Sequence, residues 1–402
     1  MIKITIKDPS DREDDYIKAM LAPFLKRIGH LKLSLEHILG SSRITKNNGI
    51  RSYQIITKKI ILLIEAKKRH GKKDSFHEAN YLDTIDKYRG SRNKLKQYKI
   101  QGLLDYLVEL EKNNAEKLKE MLLCPAADLY DLNESLKSRF DEMEIKILSY
   151  AISYDYGELS GAAKTFFRTH NFVHSCPYCN KENAKYTKGK NGTAEGHVLD
   201  HYFCQAKFPM LALCMYNLVP CGKECNGADN KGEIEFTKEF HLNPYVDGFG
   251  ERMFFSPVKN GIKVTGIEVK YNANCGPGSD HYKQIFGDCT DTSSKRFEKG
   301  NINVFKLEEK YSDQIAKAQK VLNIVDKRVN GLKSLHIYYN EMQDSYDEQM
   351  YKDWYYEELE TRFDPEDFPL EDKSKFIRDI HDSYIRECSE KEADFIKKMI
   401  VY

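Results

Sequence analysis

Two close cysteine pairs, Cys176-Pro-Tyr-Cys179 and Cys221-Gly-Lys-Glu-Cys225, constrain this chain more than any other feature. Each pair makes a tight turn that aims two thiolates at one point. The 41 residues between Cys179 and Cys221 are enough for a small module to carry the second turn back to the first. Two such turns complete a tetrahedral four-thiolate zinc site, structural because no coordination position stays open. Binding of this kind contributes on the order of 10–16 kcal/mol of apparent energy to folding. A redox Cys-x-x-Cys is the rival reading, but no βαβ pattern surrounds it and the second pair would go unexplained. The other six cysteines, Cys124, Cys204, Cys214, Cys275, Cys289 and Cys388, read as buried small apolar residues. Ten cysteines in 402 residues are too sparse for a secreted disulfide scaffold.

A chain of 402 residues exceeds one ordinary core, and two or three packed regions are expected. Residues 1–165 read as a helical N-terminal region after a first strand at Lys3–Lys7. Within it, Ile55, Ile56, Ile60, Ile61, Leu62 and Ile64 lie in Tyr53–Arg69, and Leu103, Leu104, Leu107 and Leu110 recur at helical spacing. So do Leu136, Phe140, Met143, Ile147 and Ala151. Residues 166–250 crowd cysteine, histidine, asparagine, glycine and proline together, as modules do when ligands replace an apolar core. Residues 251–402 begin with short alternating runs, Ile262–Val264 and Ile267–Val269, and return to helical spacing from Phe305 through Leu322. The expected fold class is α+β, mostly helical with one small metal-held module.

The net charge of +1 hides two opposed blocks. Residues 41–100 hold 16 Lys and Arg against 5 Asp and Glu, and residues 338–372 hold 13 acids against 2 bases. In the first block, Lys58, Lys59, Lys67, Lys68 and Arg69 are candidates to track a nucleic-acid backbone, with Lys72 and Lys73 beside them; a solvated helix face is the alternative. The acidic block can compete with DNA for that surface, dock a basic partner, or serve as a soluble helix. No apolar run approaches the roughly 18 residues that span a bilayer. The first residues, alternating and charged, are unlike a signal peptide. A cytoplasmic protein without a membrane partner is expected.

Between the cysteine pairs stand Gly196-His-Val-Leu-Asp200-His201-Tyr-Phe, then Tyr216-Asn217-Leu-Val-Pro220, then Cys225-Asn226-Gly-Ala-Asp-Asn230-Lys-Gly232. Leu199 and Tyr202–Phe203 suit a strand entering a turn, and Leu218–Val219 a returning strand. Glu224 to Lys231 suits a short helix stopped by Gly232. Such a strand–loop–strand–helix puts Asp200, His201 and Asn226 around one cleft. His197, His174 and His241 lie nearby and read as structural histidines.

In this order the residues resemble the HNH, or ββα-metal, nuclease family. Asp200-His201 matches its Asp-His strand, Asn217-Leu-Val-Pro its central asparagine, and Cys225-Asn226 the third position on its helix. The cysteine pairs match the zinc clamp of many members. The stretch Asp200-His-Tyr-Phe, Lys207-Phe-Pro-Met-Leu-Ala212 and Tyr216-Asn-Leu-Val-Pro-Cys, with Asn243-Pro-Tyr245, is similar to HNH nucleases of prokaryotic anti-phage systems. These include subunits that work beside an ATPase in Septu systems and some retron-associated systems. The resemblance covers about residues 171–245. This sequence departs from the pattern at Cys204, where relatives have proline, and at Asn226, where many have histidine. It also has three residues inside the second cysteine pair rather than two.

The resemblance implies a metal-dependent endonuclease acting on nucleic acid, DNA foremost, as an antiviral-defence effector, with an ATPase partner subunit. His201 would be the general base, since a neutral imidazole with a pKa near 6.5 accepts a proton from water. Asp200 and Asn226 would offer hard oxygens to a catalytic Mg²⁺ or Mn²⁺, with Asn230 in reserve. Asn217 would fasten the loop between the strands. Two rival readings remain: a non-catalytic zinc-held module that docks nucleic acid or an ATPase, and a site-specific homing or restriction nuclease.

Overall fold

Tyr16, Met20, Phe24, Ile28, Leu31 and Leu35 recur at three- and four-residue intervals, and this stripe folds as helix α1 (Pro9–Leu39) with all six side chains buried. The computed structural model describes residues 1–39, 56–57, 60, 97–152, 157–188, 194–196, 198–272, 279–288, 290–338 and 348–388. They form a mixed α+β protein, mostly helical, with three two-stranded sheets among the described residues. The chain divides into two compact units. One comprises residues 8–169 and 203–218, the other residues 1–7, 170–202 and 219–402. The boundary expected near residue 250 falls inside the second of these.

The helical unit holds α1, α2 (Gln97–Leu122), α3 (Leu129–Arg139), α4 (Glu142–Ile152) and most of α5 (Gly157–His170). Leu103, Leu104, Leu107 and Leu110 are buried on α2. The periodic run from Leu136 to Ala151 is cut in two. Phe140 leaves α3 extended, and Asp141 then starts α4 with reciprocal bonds. The Asp141 N–H donates to Glu144 Oε2 at 2.8 Å, and the Glu144 N–H donates to Asp141 Oδ1 at 2.9 Å. This capping box satisfies two donors that a helix start leaves open. Residues 203–218 pack in the same unit. Tyr16 donates its hydroxyl to the Leu213 carbonyl at 2.8 Å, and Tyr216 donates to Glu13 Oε1 at 2.6 Å.

The other unit starts with the segment expected as a strand at Lys3–Lys7, which forms none. The Ile2 N–H donates to the Pro177 carbonyl at 2.7 Å and the Ile4 N–H to the Pro244 carbonyl at 2.8 Å. Both acceptors are prolines with no N–H to return, and they lie on separate loops, so no ladder can build. The two alternating runs after residue 251 make an antiparallel hairpin of Met253–Asn260 with Lys263–Tyr271, turned by Gly261 at φ 61°. Against it pack α9 (Ile315–Tyr338) and α11 (Ser374–Glu387), which follow the short helices α6 (Asp280–Phe286), α7 (Asn301–Val304) and α8 (Leu307–Tyr311). Helix α10 (Glu348–Leu359) and a 3₁₀ turn at Pro365–Leu370 carry the described part of the acidic block. Phe255, Tyr311 and Phe376 meet at centroid distances of 4.2 to 5.4 Å and form the core between hairpin and helices.

Candidate functional site

Cys176, Cys179, Cys225 and Glu182 each bring one donor atom to a common centre, all within 4.8 Å of one another. The first turn is built for an anion. Asn180 takes a left-handed φ of 54°, which asparagine tolerates. The N–H groups of Lys181 and Glu182 then point at Cys179 Sγ, each at 3.4 Å. Burial opposes the thiolate, yet hydrogen bonds from Cys176, Cys225 and these two N–H groups hold the Cys179 thiol well below its ordinary range. Thiolate is the form that binds metal.

Glu182 links this turn to the next. Its Oε2 accepts from the Glu224 N–H at 3.0 Å, and its Oε1 from the Cys225 N–H at 3.1 Å and from Lys310 Nζ at 2.9 Å. Gly222 leaves room for this carboxylate, since a Cβ there would lie 2.1 Å from Glu182 Oε2. Lys310 Nζ also approaches Cys225 Sγ at 3.3 Å. Three thiolates and one carboxylate are four donors of the kind that hold zinc tetrahedrally, so the residues fit a structural Zn²⁺. Cys221, expected as the fourth ligand, is fully buried but outside the gathered donors. It is the last residue of the strand Leu218–Cys221. Burial and then the charge of Asp200 push its thiol up.

The same unit anchors the first turn to the C-terminal helix. Asn180 Nδ2 donates to the carbonyls of Phe368 and Glu371 at 3.1 and 3.0 Å, and its Oδ1 accepts from the Lys375 N–H at 3.0 Å. The Tyr311 hydroxyl donates to the Cys179 carbonyl at 2.8 Å.

Val198–His201 and Leu218–Cys221 pair as β3 and β4, after the two-residue strands β1 (Thr187–Lys188) and β2 (Ala194–Glu195). Asn217, fully buried, closes the loop between them. Its Oδ1 accepts from the Phe203 N–H at 2.8 Å, and its Nδ2 donates to the carbonyls of Phe203 and Leu211 at 3.2 and 3.0 Å. His201 ends β3, half-buried.

Asp200, one residue earlier, is 3% exposed and fully engaged. Its Oδ1 lies 2.7 Å from Lys231 Nζ, and its Oδ2 accepts from the Tyr178 hydroxyl at 2.5 Å. Lys231 also donates to the His201 carbonyl at 2.5 Å and stands 4.9 Å from the Phe236 ring. Burial, then the Asp200 charge, pushes the Tyr178 hydroxyl well above its ordinary range. An Mg²⁺ ion on Asp200 therefore does not fit, because the single negative charge of this carboxylate is already balanced by the buried Lys231 ammonium.

The helix expected at Glu224–Lys231 is a run of turns. Gly227 N–H bonds the Glu224 carbonyl at 2.9 Å, Asn230 N–H that of Gly227 at 3.0 Å, and Lys231 N–H that of Cys225 at 3.2 Å. Asn226-Gly227 and Asp229-Asn230 favour turns over helix. Asn226 lies half-buried in the first turn, and Asn230 is buried with Nδ2 bonded to the Glu224 carbonyl at 2.9 Å. His241 is a buried structural histidine. Its Nδ1 accepts from the Thr237 N–H at 3.0 Å, its Nε2 faces the Glu298 carbonyl at 2.8 Å, and burial pulls its pKa down to about 4. Cys124, Cys204 and Cys214 are buried, and Cys388 is partly so. Lys58, Lys59, Lys67, Lys68, Arg69, His197, Cys275 and Cys289 lie outside the described residues.

Sequence reasoning missed Glu182, Lys231, Tyr178 and Lys310. Glu182 carried one signal, an acid three residues after a Cys-x-x-Cys; Lys310 carried none. Compared with family models, curated proteins and solved structures, the chain matches none. Among the described residues no helix is long and apolar enough to cross a membrane.

Proposed function

We propose that this chain is an endonuclease of the HNH kind that hydrolyses phosphodiester bonds in nucleic acid, DNA foremost, in anti-phage defence. The observation that carries the reading is the order Cys-x-x-Cys, Asp-His, Asn, Cys-Asn on a paired β3–β4, with Asn217 clamping the loop between the two strands. His201, in its neutral form, takes the proton from a water that attacks phosphorus. The bond to the 3′ oxygen breaks and that oxygen takes a proton from solvent, leaving a 5′-phosphate and a 3′-hydroxyl. The zinc centre holds the turns on either side of the strands and takes no part in the bond change. A second reading, a non-catalytic zinc-held docking module, is favoured by the closed Asp200–Lys231 pair.

The test is nicking of plasmid DNA, and cleavage of RNA, by zinc-loaded wild type and His201→Ala. Each is assayed with Mg²⁺, Mn²⁺ or EDTA, alone and with any co-purifying ATPase. Loss of a general base costs about 10²–10⁴ in rate, so the variant should bind nucleic acid as the wild type does and cut at that reduced rate. A folded wild type that cuts nothing under any of these conditions leaves the docking module.

A further inference from the structure

Asp200 cannot serve a divalent ion and Lys231 at the same time. The carboxylate is 3% exposed and the lysine 1%. Lys231 spends its ammonium on Asp200 Oδ1 at 2.7 Å, the His201 carbonyl at 2.5 Å and the face of Phe236 at 4.9 Å. An ammonium has three donors, and each has a partner here. Tyr178 closes the second carboxylate oxygen, and its ring is stacked at 4.3 Å on Phe305. An incoming ion would have to expel this buried cation, or sit beside it with the carboxylate shared.

We infer that Lys231 is a positioning residue for the His201 strand and that Asp200 is its counter-ion rather than a ligand of divalent metal. Lys231 pins the carbonyl of His201 itself, so the turn at residues 225–232 fixes the backbone on which the proposed base stands. The role of His201 rests on the nuclease reading above; the assignment of Asp200 does not.

Three substitutions decide it: Asp200→Asn, Lys231→Met and Tyr178→Phe, all in the zinc-loaded full chain. Mn²⁺ binding is read from the electron paramagnetic resonance signal of the free ion, and stability from the urea midpoint. The expected result is Mn²⁺ affinity within about twofold of wild type in Asp200→Asn and Tyr178→Phe, or no Mn²⁺ binding by wild type or either variant, with lowered midpoints in all three. The loss in an Asp200→Asn, Lys231→Met double variant should be smaller than the two single losses together. In the nicking assay, Lys231→Met should lower kcat and move the acidic limb of the pH profile without changing the metal requirement. A tenfold or greater loss of Mn²⁺ affinity in Asp200→Asn overturns the inference. So does tighter Mn²⁺ binding in Tyr178→Phe, where a competing donor has gone. Should the charge variants fail to fold, Tyr178→Phe, which removes one hydroxyl, is decisive alone. If no variant and no wild type cuts nucleic acid, the nuclease reading falls while the Mn²⁺ and midpoint results still judge Asp200.

Discussion

Two buried anionic clusters lie in one unit of this protein, and they are neutralised in opposite ways. At the cysteine turns, three thiols and Glu182 converge within 4.8 Å, with Lys310 the lysine bonded to both Cys225 and Glu182. At Asp200 a single carboxylate meets a fully buried lysine and a tyrosine hydroxyl. Burying a charge is costly unless it is paired and hydrogen-bonded. The first cluster gathers three thiols and a carboxylate around one centre with one lysine at its edge, and a metal ion there would draw the thiols into their thiolate form. The second is complete without one. A carboxylate beside a histidine is therefore not evidence of a metal ligand until its other partners are known.

The largest effect should follow from breaking the first cluster. Structural zinc contributes on the order of 10–16 kcal/mol of apparent binding energy, more than the whole stability of most domains. Cys176→Ala, or removal of zinc with a strong chelator, should unfold the unit of residues 1–7, 170–202 and 219–402 at room temperature. Metal analysis of the purified wild type should give one zinc per chain. Glu182→Gln should cost more zinc affinity than Cys221→Ser, because the carboxylate and not that thiol is among the gathered donors. A zinc-free protein with an unchanged circular-dichroism melt would erase the contrast between the clusters.

The second cluster should answer with a smaller loss and no metal dependence. Removing one partner of a buried ion pair leaves the other uncompensated, at about 3–5 kcal/mol. Lys231→Met should show a loss of that size in urea denaturation. Replacing both Lys231 and Asp200 with apolar residues of like volume should recover part of it. A double-variant loss equal to the sum of the two single losses would mean that the two charges do not act as a pair.

These partners also mark where the sequence stops being readable. The helical stripe of α1 and the leucines of α2 are legible because their period is local and repeats. The cysteine turn is legible because four residues suffice to aim two thiols. Asn217 was legible only through the family resemblance, which set it before Leu-Val-Pro as the fastener of the loop. Glu182 was not, since it depends on Gly222 and on Lys310, which stands 128 residues away. Lys231 was hidden by the helix expected around it. Local propensity at Asn226-Gly227 and Asp229-Asn230 decides for turns, and the turns bring Lys231 to Asp200. The strand expected at Lys3–Lys7 failed on its partners, two prolines, which its own alternation could not reveal.

Close to Lys231, His241 tests how many cations this pocket admits. Its ring stacks at 4.1 Å on Phe236, the ring that also faces Lys231. With Nδ1 accepting from the Thr237 N–H, Nε2 must carry the proton donated to the Glu298 carbonyl. A second proton would meet the Thr237 N–H head on. The folded pKa is pulled down to about 4 by burial, below an unfolded value near 6.5. The unfolded chain therefore binds the proton first, and stability falls as pH drops from about 6.5 to about 4. The cost is about 3 kcal/mol when complete. Urea midpoints at pH 7 and pH 4.5 should show a smaller acid loss in His241→Asn than in wild type, the thiolates contributing equally to both. Parallel slopes would remove His241 from the acid response.

Lys310 gives the finest test, since it is the one residue that makes the metal cluster resemble its neighbour. Its Nζ touches Cys225 Sγ at 3.3 Å and Glu182 Oε1 at 2.9 Å, and the side chain is 9% exposed. Burial disfavours the ammonium, but the charges of Cys225, Cys179 and Glu182 outweigh that and hold its pKa above the ordinary lysine range. If Lys231 closes its site completely, Lys310 only trims the charge of a centre that still needs an ion. Outer partners of metal ligands typically account for about 10–100-fold in affinity. One bond to a thiolate and one to a carboxylate at the edge of the centre place Lys310→Met at the low end, about tenfold. Competition with a chromogenic chelator should show zinc leaving the variant about ten times more readily while the loaded protein keeps its wild-type circular dichroism. A variant that cannot hold zinc at all would make Lys310 as indispensable as Lys231, and the two clusters would then differ in their ligands but not in their reliance on a buried lysine.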